Sequence, residues 1–388
     1  MKKKIILGAL IVVFSCTKEE SNELTQPEVV IEPEQEQPIE VVEPIEPSEP
    51  TVFDRGGLLI NWADNIILPA YDNFNDELLL LKTAVNAFTT ETNLDNLLAA
   101  RVQWLEAYKA WQHIEMFNIG KAEEIYFNNK MNIYPTNIDR VENNIATASY
   151  DLNDAFNFSA QGFPALDYML HGLEATDTEI VDRYTSDSKN ADYLLALTEM
   201  MVNNTATVKE AWSEELADFK ASTENTATSS LNKMTNDFIY YYEKGLRTNK
   251  IGIPSGIFSG SPLPGNVEGY YSKTHSKVLA KEALLAVTNF FSGKAFGLET
   301  EGESFKTYLD FLNSTKNGDD LSTLIISKFE NAETKIDGLN DNFYDQVEND
   351  NLAMLVTFDA LQEAVVLLKV DMLQALTINV DYVDADGD

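Results

Sequence analysis

Apolar residues recur at three- and four-residue intervals along most of the chain, the spacing of helices that each bury one face. Leu58, Ile60, Ile66, Leu68, Leu78, Leu81, Val85 and Phe88 fall in one long segment. Pro69 lies inside it and predicts a kink, because proline donates no backbone hydrogen bond. Residues 94–117 follow, with Leu97, Val102, Trp104, Leu105, Tyr108 and Trp111. Residues 119–160 lose the period, hold the Tyr134-Pro135 pair and are rich in Asn. Pro164 then stands where proline is favoured at the first turn of a helix, and Gly172 is the expected stop.

The second half repeats the style, with helical spacing near 190–220, 226–248, 273–293, 303–313, 319–337 and 344–377. The densest Gly/Pro run of the folded part lies between them, at 252–265, and reads as a long ordered loop of the kind that carries function. Few segments alternate with period two. The pattern predicts an all-α fold of two helix bundles, an N-terminal one over about residues 51–185 and a C-terminal one over about 186–388, broken near 183–190.

The first fifty residues do not belong to either bundle. Lys2, Lys3 and Lys4 precede an apolar run, Ile5 to Phe14, that is too short to span a hydrocarbon core, which needs about 20 residues. It reads as a signal peptide over 1–16 that ends in Ser15-Cys16, a small residue before the only cysteine of the chain. Lipid attachment at Cys16 explains a lone thiol in an exported chain. Residues 17–50 hold eleven Glu, six Pro and one Lys, a composition that extends as a solvated, disordered tether. These features place the protein outside the cytoplasm, lipid-anchored to a bacterial cell envelope, at the outer membrane and open to surface display.

Charge narrows the partners. The chain carries 28 basic and 63 acidic side chains, a formal charge of −35, of which the folded part keeps −28. Nucleic acid would be repelled along its phosphates, and an anionic membrane surface would be repelled too. The membrane is therefore a partner only through the lipid on Cys16. With three histidines and no H-E-x-x-H, a zincin-type protease has no ligand pair. Asp167, His171 and Glu174, at i, i+4 and i+7, would line one face of a helix and offer donors for a divalent metal. His113 and His275 suit packing or surface roles. Ser255 stands in Pro-Ser-Gly and not in a nucleophile elbow. The ending Asp384-Ala-Asp-Gly-Asp388 opens like a calcium loop but lacks the Glu that would close it.

Several stretches together resemble the imelysin family, also called iron-regulated protein A-like and classed among the M75 peptidases. They are Arg101-Val-Gln-Trp-Leu-Glu-Ala-Tyr-Lys-Ala-Trp111, Asn132-Ile-Tyr-Pro-Thr-Asn137, Gly162-Phe-Pro-Ala-Leu-Asp-Tyr-Met-Leu170, the 252–265 loop, and Leu361-Gln-Glu-Ala-Val-Val-Leu-Leu-Lys-Val-Asp-Met372. The resemblance implies two similar four-helix bundles, arisen by duplication, around a shared cleft. It implies an envelope protein linked to iron uptake, with uptake proteins of the envelope as partners. It also implies a G-x-H-x-x-E metal motif. The matching stretch here is Gly162-Phe-Pro164-Ala-Leu-Asp167, so neither the His nor the Glu is carried over. The expected function is a binding lipoprotein that holds a small ligand or an iron or other metal species in the cleft. The cleft residues expected are Tyr134, Asp167, Ser255 and Lys369 or Asp371; these last two lie two positions apart, so at most one faces the cleft. The alternatives are a metallopeptidase and a surface lipoprotein that docks a partner.

Overall fold

Helix forms almost everywhere the apolar spacing places it. Residues 52–381 are described, in a computed structural model. Helix α1 (Leu68–Thr90) continues without a break from turns at Arg55–Ile60 and Asn61–Ile67. The middle piece is π-helical, with wide i→i+5 turns. Pro69 falls in the first turn of α1, where the wide turns ahead of it accommodate its missing donor. Helix α2 (Leu94–Gln112) is capped by the Asn93 side chain, which accepts from Asn96 N at 2.9 Å, and buries Leu97, Trp104, Tyr108 and Trp111. The less regular region holds α3 (Ile138–Thr147) and α4 (Gly162–Asp167), and α5 (Lys189–Ala221) runs for 33 residues.

The first bundle extends further than its sequence pattern suggests. Helix α1 packs on α2 and on α5, and α5 also touches α3 and α4. Helix α5, which lies beyond the division expected at 185/186, thus packs on the helices before that division. The reason is the stripe Leu194, Leu197, Met201 and Val208, fully buried on α5, which closes against α1.

The second bundle starts with α6 (Ser230–Tyr240), which runs straight into a π-helical segment, Tyr241–Gly252. Helices α7 (Ser276–Ser292), α8 (Leu321–Asp337) and α9 (Phe343–Val366) follow, and π-helical turns at Leu367–Met372 continue α9. Helix α9 packs on α8 and on Tyr241–Gly252, and α7 packs on α8. The stretch Phe343–Leu376 is long and apolar enough to cross a membrane by length and composition, yet half of its most apolar window is buried in this bundle. The only paired strands among the described residues are Thr315–Lys316 and Asp319–Asp320, turned by Asn317 and Gly318 at positive φ.

The two bundles join where α7 meets α2. The N-terminal turns tie both together. Asn61 donates its amide to the carbonyls of Gly293 and Glu303, and Trp62 packs on Phe290 and Phe305. Phe53 stacks flat on Tyr308, with ring centroids 4.0 Å apart, and Arg55 Nε donates to the Tyr308 hydroxyl at 2.9 Å. Cys16, the stretch 17–50 and the acidic ending 384–388 lie outside the described residues.

Candidate functional site

Two of the expected cleft residues meet. Tyr134 and Pro135, joined by a cis peptide bond, and Pro164 and Asp167 form one wall of a pocket of about 230 Å³. Gly265, Val267, Gly269, Tyr270 and Tyr271 form the other. The first wall comes from the first bundle and the second from the second. The end of the 252–265 loop thus reaches the pocket. Tyr270 and Tyr271 also line a neighbouring pocket of about 510 Å³, with His171, Glu174, Lys273 and Asp345. A separate cavity of about 540 Å³ lies against Trp212 and Phe219, away from both walls of the smaller pocket.

Asp167 is the joint between the walls. It is 2 % exposed, and its two oxygens accept from the backbone N–H groups of Tyr271 (2.8 Å) and Ser272 (2.9 Å). His171 Nδ1 lies 3.1 Å from Asp167 Oδ1, and the imidazole meets Trp104 edge to face. His275 sits at the N-terminal cap of α7, tilted against Trp104. Burial, and then the nearby His171, hold its pKa below the usual imidazole value. His113 pairs across the bundles with Glu282 at 3.1 Å, and that hydrogen bond is the main cause of a lowered Glu282 pKa.

The metal triad read from spacing is not assembled. Asp167 and His171 stay together as their i, i+4 spacing predicts, but the helix turns π-helical at Tyr168–Gly172 and Glu174 lies beyond its end. Glu174 is exposed and pairs with Arg183 at 3.1 Å. Among the described residues, no group of three or more His, Cys, Asp or Glu side chains is placed to hold a metal ion.

The other expected cleft residues lie elsewhere. Ser255 is buried and donates to the carbonyl of Gly252 at 3.0 Å. Lys369 pairs with the buried Glu243 at 3.3 Å, and Asp371 pairs with Lys316. Both sit on the π-helical turns Leu367–Met372, and neither reaches the Tyr134 pocket.

Beneath the Tyr134 turn lies a buried ionic network that the sequence reading missed. Lys250 Nζ, 1 % exposed, lies 2.6 Å from Glu268 Oε2 and 3.8 Å from Glu115 Oε2. Glu268 Oε1 accepts from Gln112 and Asn132, and Asn132 also donates to Glu115 at 2.9 Å. Tyr108 donates to the Asn132 amide oxygen. Burial pushes the Glu115 carboxyl up, opposed by Lys250 and reinforced by Glu268. Burial, with the same two carboxylates, also holds the Tyr108, Tyr134 and Tyr241 phenols well above their usual range. Tyr271 is pushed up to about 12, chiefly by burial and then by Tyr270 and Asp167. All of these phenols are neutral donors near neutral pH.

The model of the imelysin family matches residues 67–368. This chain belongs to the imelysin family. Over 122 residues it is 28 % identical to "Iron-regulated protein A" of Synechococcus elongatus, a match that spans 31 % of this chain and only 33 % of that protein. An imelysin-like protein of Psychrobacter arcticum 273-4, known from its crystal structure, superposes with a TM-score of 0.65 at 18 % identity, over 84 % of this chain and 97 % of that one. A Parabacteroides distasonis structure named as an iron-regulated protein A precursor gives 0.64 at 16 % identity, over 84 % and 96 %. These two likenesses establish the all-α imelysin fold.

Within the imelysin family motif, the glycine has a clear reason here. Gly162 has φ +72, and a Cβ on it would lie 2.1 Å from the carbonyl oxygen of Met131, so only glycine fits. The motif's His position is Pro164, which has no donor atom to give. Asp167 occupies the Glu position and is already engaged by two backbone N–H groups. The neutral phenols around it would each have to lose a proton to bind a bare cation. The residues present do not fit the motif's metal.

Proposed function

We propose that this imelysin-family protein is an exported envelope lipoprotein that binds a small ligand, an iron chelate, in the pocket between its two bundles, and that it does not cleave peptides. The observation that carries the reading is the donor set of the pocket. Tyr134, Tyr270 and Tyr271 surround a carboxylate that is already satisfied, and Pro164 stands where a ligating histidine would be. Phenol O–H groups donate hydrogen bonds to the oxygen-rich outer face of a chelate, and the raised pKa values of Tyr134 and Tyr271 make them poor ligands for a bare cation. The volume, about 230 Å³, is below the range of about 300–1,000 Å³ typical of drug-sized sites, so the ligand is small. The names of the Synechococcus and Parabacteroides relatives support the link to iron. A metallopeptidase needs about three protein ligands and an open position for water, which this donor set does not supply.

Export and anchoring rest on the N-terminal pattern, and the word precursor in the name of the Parabacteroides protein agrees with export. Mass spectrometry of the mature protein should find an acylated N-terminal Cys16, and Cys16→Ser should release the protein from membranes. An unmodified N-terminus elsewhere would refute the anchor.

Calorimetric titration with ferric citrate, against citrate alone, tests the binding function. The ferric complex should bind, and Tyr271→Phe should weaken it about two- to tenfold, the effect of one hydrogen bond. Absence of binding, equal affinity in the variant, or chelator-sensitive cleavage of a peptide library would overturn the proposal.

A further inference from the structure

The Asn-rich stretch, residues 137–157, folds into a second pocket with a different chemistry. It encloses about 690 Å³ and is built entirely from α3, the loop after it and the 3₁₀ turns at Ala155–Ala160. Phe156 stands 70 % exposed at its edge. The Arg140 guanidinium lies over this ring, 3.2 Å from the centroid, and its Nε and Nη1 atoms are buried with no hydrogen-bond partner. This cation–π contact fixes the ring beside the guanidinium and leaves most of the Phe156 side chain open to a ligand.

The rest of the pocket is pre-shaped. Its floor is a pair of buried amides: Asn144 donates to Asn157 Oδ1 at 3.0 Å and to the Tyr193 hydroxyl at 3.1 Å, and Asn157 donates to the carbonyl of Asp151 at 2.8 Å. Tyr150 is held edge-on against Tyr193, with centroids 4.9 Å apart. Asp151 and Asp154 are exposed, and each uses one oxygen to cap a backbone N–H, of Asn153 and Phe156, which fixes the direction of the other oxygen. The loop passes through Ala148 at φ 50, a strained conformation for a residue other than glycine.

We propose that this pocket binds a segment of a neutral oligosaccharide. Pyranose rings present an apolar face of C–H groups that stacks on an aromatic ring, here Phe156 with Tyr150 beside it. Their vicinal hydroxyls both donate and accept, so they can donate to the carboxylates of Asp151 and Asp154, accept from the guanidinium of Arg140, and do either with the amide of Asn143. Other ligands fit worse. An acidic glycan, a phosphate or a nucleic acid would face Asp139, Asp151 and Asp154 on the same wall. A bare divalent cation would face the Arg140 guanidinium. The site shares no lining residue with the tyrosine pocket and does not depend on the function assigned to it.

The test is calorimetric titration of the full mature protein with neutral hexaoses of glucose, mannose, galactose and xylose. A hexamer of galacturonic acid and calcium chloride serve as comparators. At least one neutral hexaose should saturate the protein. Phe156→Ala should weaken it about two- to tenfold, the loss of one stacking contact. Phe156 is largely exposed, so the variant should fold, and a matching far-ultraviolet circular dichroism spectrum would confirm this. The proposal is overturned if no neutral hexaose binds at up to about 10 mM, tenfold above a weak 1 mM Kd. It is equally overturned if Phe156→Ala binds as well as the parent, or if only the acidic hexamer or calcium binds.

Discussion

The two pockets differ in how their walls are recruited. The tyrosine pocket is assembled from parts distant in the chain: Tyr134 and Asp167 on one side, Gly265 to Tyr271 on the other. It rests on a buried ionic network that also joins distant segments, from Glu115 to Lys250 and Glu268. The pocket at Arg140 and Phe156 comes from one contiguous stretch, 137–157. The first is inseparable from the docking of the two bundles, and its shape is coupled to global stability. The second is a local construction, where a side chain can change without disturbing the core.

Substitutions can break this contrast. The largest effect should come from Lys250→Met, which strands two buried carboxylates without a cation. Removing one partner of a buried pair costs about 3–5 kcal/mol, so urea unfolding should show a loss of that size. A loss below about 1 kcal/mol, the range of exposed pairs, would mean that the network does not hold the bundles together. Next comes Asp167→Ala. It leaves the N–H groups of Tyr271 and Ser272 without their charged acceptor, at about 1.5–3 kcal/mol. Hydrogen exchange should then speed up at 271–272, and unchanged protection there would show that Asp167 does not hold the wall. The smallest effect should be that of Phe156→Ala on stability. It removes an exposed ring and one cation–π contact and should stay within about 1 kcal/mol. A larger loss would show that the Asn-rich pocket is not local after all.

The sequence revealed these two regions unequally. The helices were legible because their apolar stripes keep the helical period, from Leu78, Leu81, Val85 and Phe88 on α1 to the last helix. Tyr134 and Asp167 were legible because short local stretches carry the family resemblance. Lys369, Asp371 and Glu174 lie outside the Tyr134 pocket, and they share one physical setting. They lie on or just beyond π-helical turns, and no residue pattern announces where a helix widens. The ionic network was hidden for a separate reason. Glu115, Lys250 and Glu268 look like surface charges one at a time, and only the docking of distant segments makes them a cluster. The packing of α5 on α1 was not legible, because the α5 sequence shows a buried stripe but not the partner it faces.

The stack of Phe53 on Tyr308, locked by Arg55, has a mechanical consequence. Any pull that arrives through the chain ahead of Val52 enters the folded body there, at a planar aromatic pair and a polar bolt that bind the first helical turns to the second bundle. Asn61 and Trp62 brace the same turns one step further in. Force applied at Val52 would thus load contacts between the first helical turns and the second bundle, and Phe53, Arg55, Asn61, Trp62 and Tyr308 line neither pocket.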